Sequence, residues 1–167
     1  MVVEKLAGTD RRSIGEADAV AREIACDQAL FDEVFAALFS DDPVLRMRAA
    51  DAVEKASRKH PERLIPHKRT LLGEPAAVKQ QEVRWHLAQL LPRLSLDAAE
   101  KAQAVAILED FFADRSTIVR VNALEALVLL ARGDEHLEAI ARRRLAAALE
   151  TGRPAERARA RKLLERL

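Results

Sequence analysis

An apolar stripe at helical spacing returns four times along the chain at almost the same interval, and this period limits the fold more than any other feature. Leu45, Ala49, Ala52, Val53 and Ala56 fall at i, i+4, i+7, i+8 and i+11, which is one face of a helix. The stripe comes back as Val83, Leu87, Leu90, Leu91, Leu94 and as Val119, Ala123, Ala126, Leu127, Leu130. Its last copy is Glu156, Ala160, Leu163, Leu164, Leu167, where a glutamate stands as a defect in place of the first aliphatic. Successive copies are 38, 36 and 37 residues apart, and an arginine follows the first member each time: Arg46, Arg84, Arg120 and Arg157.

The stretches between copies supply partner helices. Val2 to Ala7 can form a loose turn or two, and Ser13 with Glu16 reads as a capping box before Ile14, Ala17, Val20, Ala21 and Ile24. Asp27 caps a second helix carrying Leu30, Phe31, Val34, Phe35, Leu38 and Phe39. Asp41 or Asp42, with Pro43 at the first helical position, starts the helix of the first copy, which ends near Arg58–His60. Two prolines then predict a short turn over Pro61 to Ile65 and a helix from Pro66 to Gly73. Glu74-Pro75 starts the next helix, which runs to about Leu91, with Pro92 marking its end or a bend. Ser95, or Asp97 with Glu100, caps a partner whose apolar members are Leu96, Val105, Leu108 and Phe112. Ser116 or Thr117 caps a helix to Ala131, and Gly133 ends it. Asp134 starts a partner bearing Leu137, Ile140, Ala141, Leu145 and Leu149, which ends at Thr151-Gly152, and Arg153-Pro154 opens a last helix.

A helix pair with one apolar stripe per helix cannot bury that stripe alone, whereas stacked pairs bury each other's in a row. Each buried Leu or Val contributes roughly 1.5–3 kcal/mol, so several stacked pairs offset the ordering entropy that one cannot. The expected fold is all-α, an α-α superhelix of about four hairpins plus a terminal helix. One domain spans residues 1–167, with units near 13–40, 42–73, 75–113 and 116–151 and a half-unit at 153–167. Five glycines, six prolines and 4% aromatic residues leave little for hairpins of strands.

These copies resemble the first-helix signature of HEAT repeats: Asp42, Pro43, Leu45, Arg46, Ala49, Ala50, Ala52 and Val53, continued in QQEVRWHLAQLL and STIVRVNALEAL. RPAERARARKLL keeps the proline, the arginine and the leucines, while Gln80-Gln81 replaces Asp-Pro. The resemblance covers about Asp42 to Leu167 well and the first forty residues weakly. It implies that Arg46, Arg84, Arg120 and Arg157 are structural, bonding between successive units. It also implies a surface for protein partners, because proteins of this armadillo-like α-solenoid kind mostly bind others along one face.

Individual residues add less. Trp85 shares a column with Met47, Val121 and Ala158, apolar in each copy, and is expected to pack between units. His86 shares one with Arg48, Asn122 and Arg159, polar throughout and so expected to face solvent. Phe31, Phe35 and Phe39 form a stripe read as core. The four histidines show no ligand spacing, so no metal or cofactor is expected. Iron-binding HEAT-like hydroxylases use His-Glu dipeptides, and HEAT-like DNA glycosylases line their site with tryptophans and an aspartate; this chain has neither set. Cys26, the sole cysteine, sits on or beside a core stripe and is read as inert.

Charge is uneven. Residues 1–40 carry −4, whereas 141–167 hold nine basic and three acidic residues, a net of +6. That basic end is either a solubilising cap or a phosphate-binding surface. With no secretory leader or membrane span in the sequence, a cytoplasmic protein is expected. The reading is a non-catalytic interaction or scaffold module, not an enzyme, whose second helices meet a partner protein through Lys68, Lys101, Arg142 and Arg143. The alternative is nucleic-acid binding by the basic end, as a degenerate relative of the glycosylases.

Overall fold

The computed structural model describes residues 1–8, 10, 13–73 and 78–167. These form nine α-helices and short 3-10 turns, with no strand among the described residues. The helices are α1 (Ala17–Cys26), α2 (Gln28–Ala36), α3 (Pro43–Ser57), α4 (Lys68–Gly73), α5 (Gln81–Leu90), α6 (Ala98–Phe112), α7 (Thr117–Ala131), α8 (Glu135–Thr151) and α9 (Pro154–Leu164). The fold is all-α. No helix among the described residues is long and apolar enough to cross a membrane.

Aspartate side chains cap four of the starts. Asp42 accepts from the amides of Val44 and Leu45 with Pro43 behind it, and Asp27 and Asp134 accept from Leu30 and Leu137. Asp97 and Glu100 close a reciprocal box on α6. The box expected from Ser13 and Glu16 does not form. The Ser13 hydroxyl accepts instead from Gly15, whose φ of +56° breaks the helical run, and α1 starts two residues later at Ala17 with Ile14 exposed. Pro61–His67 is a 3-10 stretch, so α4 starts at Lys68 rather than Pro66. The predicted start at Glu74-Pro75 lies outside the described residues; residues 78–80 are not helical and α5 begins at Gln81.

The helices gather into two compact units, Met1–Leu94 and Ser95–Leu167. In the first, α3 is central, flanked by α1 on one side and α5 on the other, with α2 beside it. Ala49, Ala50, Ala52 and Ala56 are buried on it, small enough to let neighbouring helices come close. In the second, α7 packs on α6, α8 and α9 and is buried nearly all round through Val119, Ala123, Leu124, Leu127, Val128 and Leu130. The face that α6 buries is turned from the expected one: Ala104, Ile107, Leu108 and Phe111 are buried, while Val105 and Phe112 are only half-buried. Phe31 and Phe35 are core, as their spacing predicts. The His67 ring stacks on Phe35 at 3.8 Å and meets Asp32 at 2.7 Å.

Within each unit, most long-range polar bonds span one repeat. Arg46 to Gln80, Arg63 to the Ala25 carbonyl, Arg93 to Glu54, Arg120 to Glu156 and Arg159 to Glu125 join residues 34 to 39 apart. The column of His86 takes part, contrary to its expected solvent exposure. Arg48 is 5% exposed and His86 9%, because Arg48 turns into the amino-terminal segment and His86 toward Asp51 on α3. The Arg48 guanidinium donates to the carbonyls of Leu6, Ala7, Asp10 and Ser13. Gly8 and Gly15 make room for it: a Cβ on Gly8 would stand 2.5 Å from Arg48 Nη1, and one on Gly15 3.0 Å from Cζ.

Arg48→Met leaves those buried carbonyls without their donor. It is expected to cost about 2–4 kcal/mol in urea unfolding and to speed amide exchange in residues 2–8 selectively; unchanged exchange there would refute the role given to Arg48.

Candidate functional site

The buried carboxylates Glu54 and Glu156 are bound into structural pairs. Glu54, 2% exposed, accepts from Arg58 (2.6 and 3.0 Å) and from Arg93, which also donates to the Glu54 carbonyl and to Ser57 Oγ. Burial alone would push the Glu54 carboxyl up, but the hydrogen bonds from Arg58 and Arg93 outweigh it and hold it low. His86 stands 3.0 Å from Gln89 and 3.9 Å from Asp51. Burial pushes its imidazole below the ordinary value, against the pull of Gln89 and Asp51. The folded state therefore favours neutral His86, and acidification below the usual histidine range penalises folding.

Glu156 is no defect. It is 7% exposed and accepts from Arg120 Nε and Nη2 at 2.8 and 2.9 Å, and from the amide of Arg153 at 3.0 Å. A fork-to-fork pair of this kind fixes both distance and angle. The hydrogen bond from Arg120 holds the Glu156 carboxyl low, and the same bond raises Arg120. Arg46 repeats the arrangement two copies earlier: it donates to Gln80 at 2.9 Å and to the carbonyl six residues back, as Arg120 does to Asp114. Gln80 returns a bond to the Pro43 carbonyl. Of the remaining repeat arginines, Arg84 is buried at 4% and Arg157 is exposed.

The candidate partner-binding residues divide between the units. Lys68 opens α4 in the first and is half-buried. Lys101, half-buried on α6, and Arg142 and Arg143, exposed on α8, belong to the second. Arg142 also donates to the Leu167 carbonyl. Neighbouring helices tie α6 to α8 through the pair of Arg144 with Glu109, and Arg144 lies over the Phe112 ring at 5.2 Å. Outward of these, α6 exposes Ala99, Ala102 and Ala106, and α8 exposes Ala139 and Ala146, each set at helical spacing.

No family model matches the chain, and no curated protein matches it. A crystal structure of an engineered protein from the Northeast Structural Genomics Consortium is similar, with a TM-score of 0.65 at 16% identity over 98% of this chain and 76% of that one. That likeness shows the fold alone.

A cavity of about 370 Å³ opens in the second unit, lined among others by Phe112, Leu124, Arg120, Arg144, Gly152 and Arg153. The sequence marks Arg120 as a repeat arginine and Arg144 and Arg153 as part of the basic end; the turn at Thr151-Gly152-Arg153 is the available signal that they converge. Trp85 is half-buried beside His86, and the Asn122 amide donates to the Ile118 carbonyl of its own helix. Among the described residues no cluster of three or more His, Cys, Asp or Glu is placed to hold a metal. Cys26 is exposed at the end of α1, not seated in the core stripe, because the stripe stops at Ile24.

The Arg120–Glu156 pair gives a pH signature. A carboxyl held low in the folded state adds stability above its ordinary value of 4.5 and loses it as pH falls through the folded value. Arg120→Met is expected to cost about 2–4 kcal/mol at pH 7, and the deficit from wild type should shrink as unfolding is repeated toward pH 3. A deficit independent of pH would show that the pair does not carry it.

Proposed function

We propose that the protein is a non-catalytic interaction module of HEAT-repeat type, a short cytoplasmic solenoid that binds an acidic segment of a partner protein on its second helices. The observation that supports this is the relief and charge of the exposed side of α6 and α8. Alanines at helical spacing leave a low surface, and Lys101, Arg142 and Arg143 stand along it. Such a surface lets an acidic helix lie close, with the cations selecting it and steering its approach. The buried charges support the same reading, since Glu54, Arg48, Arg120 and Glu156 are engaged in holding helices together.

The test is a photo-crosslinking amino acid placed at Ala106 or Ala146 in cells. The expected result is crosslinks to an acidic protein that disappear in Arg142→Glu/Arg143→Glu. Crosslinking that survives the charge reversal, or turnover of a substrate by the purified protein, would refute the module reading.

A second reading has its own observation. On α9, Arg153, Arg157 and Arg161 are exposed four residues apart, roughly 6 Å per step along the axis, with Lys162 beside them. Among the described residues none of these four makes an ion pair, whereas Arg159 and Arg166 both reach Glu125. Cations in such a row suit a nucleic-acid backbone. Gel retardation of an oligonucleotide should then weaken with salt at a log–log slope of about −3 and vanish in Arg157→Glu/Arg161→Glu; no retardation at low salt would end this reading.

A further inference from the structure

The cavity of the second unit has hydrogen-bond donors to spare. Three guanidinium groups line it, from Arg120, Arg144 and Arg153, against two carboxylates, Asp114 and Glu156. Both carboxylates are engaged within the fold: Glu156 with Arg120 and the Arg153 amide, and Asp114 with the amide of Ser116. Arg120 is committed in return. Arg144 and Arg153 are not. Arg144 gives Nε and Nη2 to Glu109, but both members of that pair are more than a third exposed, and such pairs yield readily. Arg153 uses only Nη1, toward Thr117 Oγ1 at 2.9 Å and the Arg115 carbonyl at 3.4 Å. Among the described residues, Nη1 of Arg144 and Nε and Nη2 of Arg153 make no hydrogen bond.

The rest of the lining is apolar: Phe112, Leu124, Ala113, Ala147 and Ala148. A small-molecule site has this composition, a greasy wall with a few convergent polar groups, and roughly 300 Å³ is its lower size limit. At about 370 Å³ the cavity admits a compact molecule and not a helix. The donors left over are the Nε–Nη2 fork of Arg153 and Nη1 of Arg144, and guanidinium groups match planar or tetrahedral oxyanions better than an ammonium would.

We propose that this cavity binds a small organic anion, with a phosphate or carboxylate group between Arg144 and Arg153 and a compact apolar body against Phe112 and Leu124. The site lies at the carboxyl-terminal ends of α6 and α8 and includes none of Lys101, Arg142 and Arg143, so it does not depend on the identity of any protein partner.

Phenyl phosphate and benzoate are the probes, with phenol as the neutral control, followed by amide chemical shifts of the labelled full chain. Saturable shifts are expected at Ala113, Thr151 and Gly152 with one or both anions and not with phenol, and which anion binds tells phosphate from carboxylate. Arg144→Gln and Arg153→Gln should each raise Kd at least tenfold. The charge-keeping Arg144→Lys and Arg153→Lys should weaken binding similarly if the fork matters, and they serve as the test should either glutamine variant fail to fold. Absence of saturable shifts with both anions, undiminished affinity in the folded variants, or shifts centred on Arg157 and Arg161 would overturn the proposal.

Discussion

An arginine that reaches from one first helix to the start of the next, as Arg46 does to Gln80 and Arg120 to Glu156, is the constraint on which the packing within each unit depends. Apolar burial is non-directional, so alanine-rich faces such as those of α3 could slide past their neighbours at little cost. A forked guanidinium cannot. It is satisfied only when its own helix start, the carbonyl six residues back and the following helix all sit at one spacing. Hydrophobic contact therefore supplies the free energy of burial, and these bonds choose the register in which it is realised.

The same division explains how the fold tolerates buried charge. An isolated ion in a dry interior is prohibitively costly, and Glu54, Glu156 and Arg48 each find polar partners about one repeat away or one turn away. Glu54 holds Arg58 on its own helix and Arg93 beyond it. Arg48 has no carboxylate at all; four backbone carbonyls surround its guanidinium, and two glycines without side chains let the chain close around it. The cation thus adds fixed polar bonds to the apolar packing that Val2 and Leu6 give the amino-terminal segment.

Periodicity made much of this legible. Helix positions, the Asp42, Asp27 and Asp97 caps and the central role of the first helices follow from spacing and cap chemistry in the sequence. The failures share a cause. His86 and Arg48 were placed in solvent, and Glu156 was taken as a defect, because polarity was read as exposure. Arg48 faces the amino-terminal segment, His86 faces α3 and Glu156 faces Arg120, and only the distance of about one repeat to each partner reveals it. Gly15 likewise redirected Ser13 from a helix cap to a turn, a backbone effect with no side-chain pattern to announce it. The cavity was the least legible feature, since Phe112, Arg144 and Arg153 lie on separate elements of the second unit and meet only once those are packed.

What sets the arginines of the second unit apart from one another is therefore their partners and not their number. Arg120 is fixed by Glu156, and Arg159 by Glu125, so both belong to the scaffold. Arg143, Arg157 and Arg161 stand exposed, and among the described residues they have no carboxylate to answer them. Uncompensated cations on a small domain repel one another and add nothing to folding. In this unit the arginines paired with carboxylates belong to the scaffold, and the exposed ones present their charge to solvent. Removing an inner arginine should then be read out in stability and an outer one in binding, and the two sets of residues do not overlap.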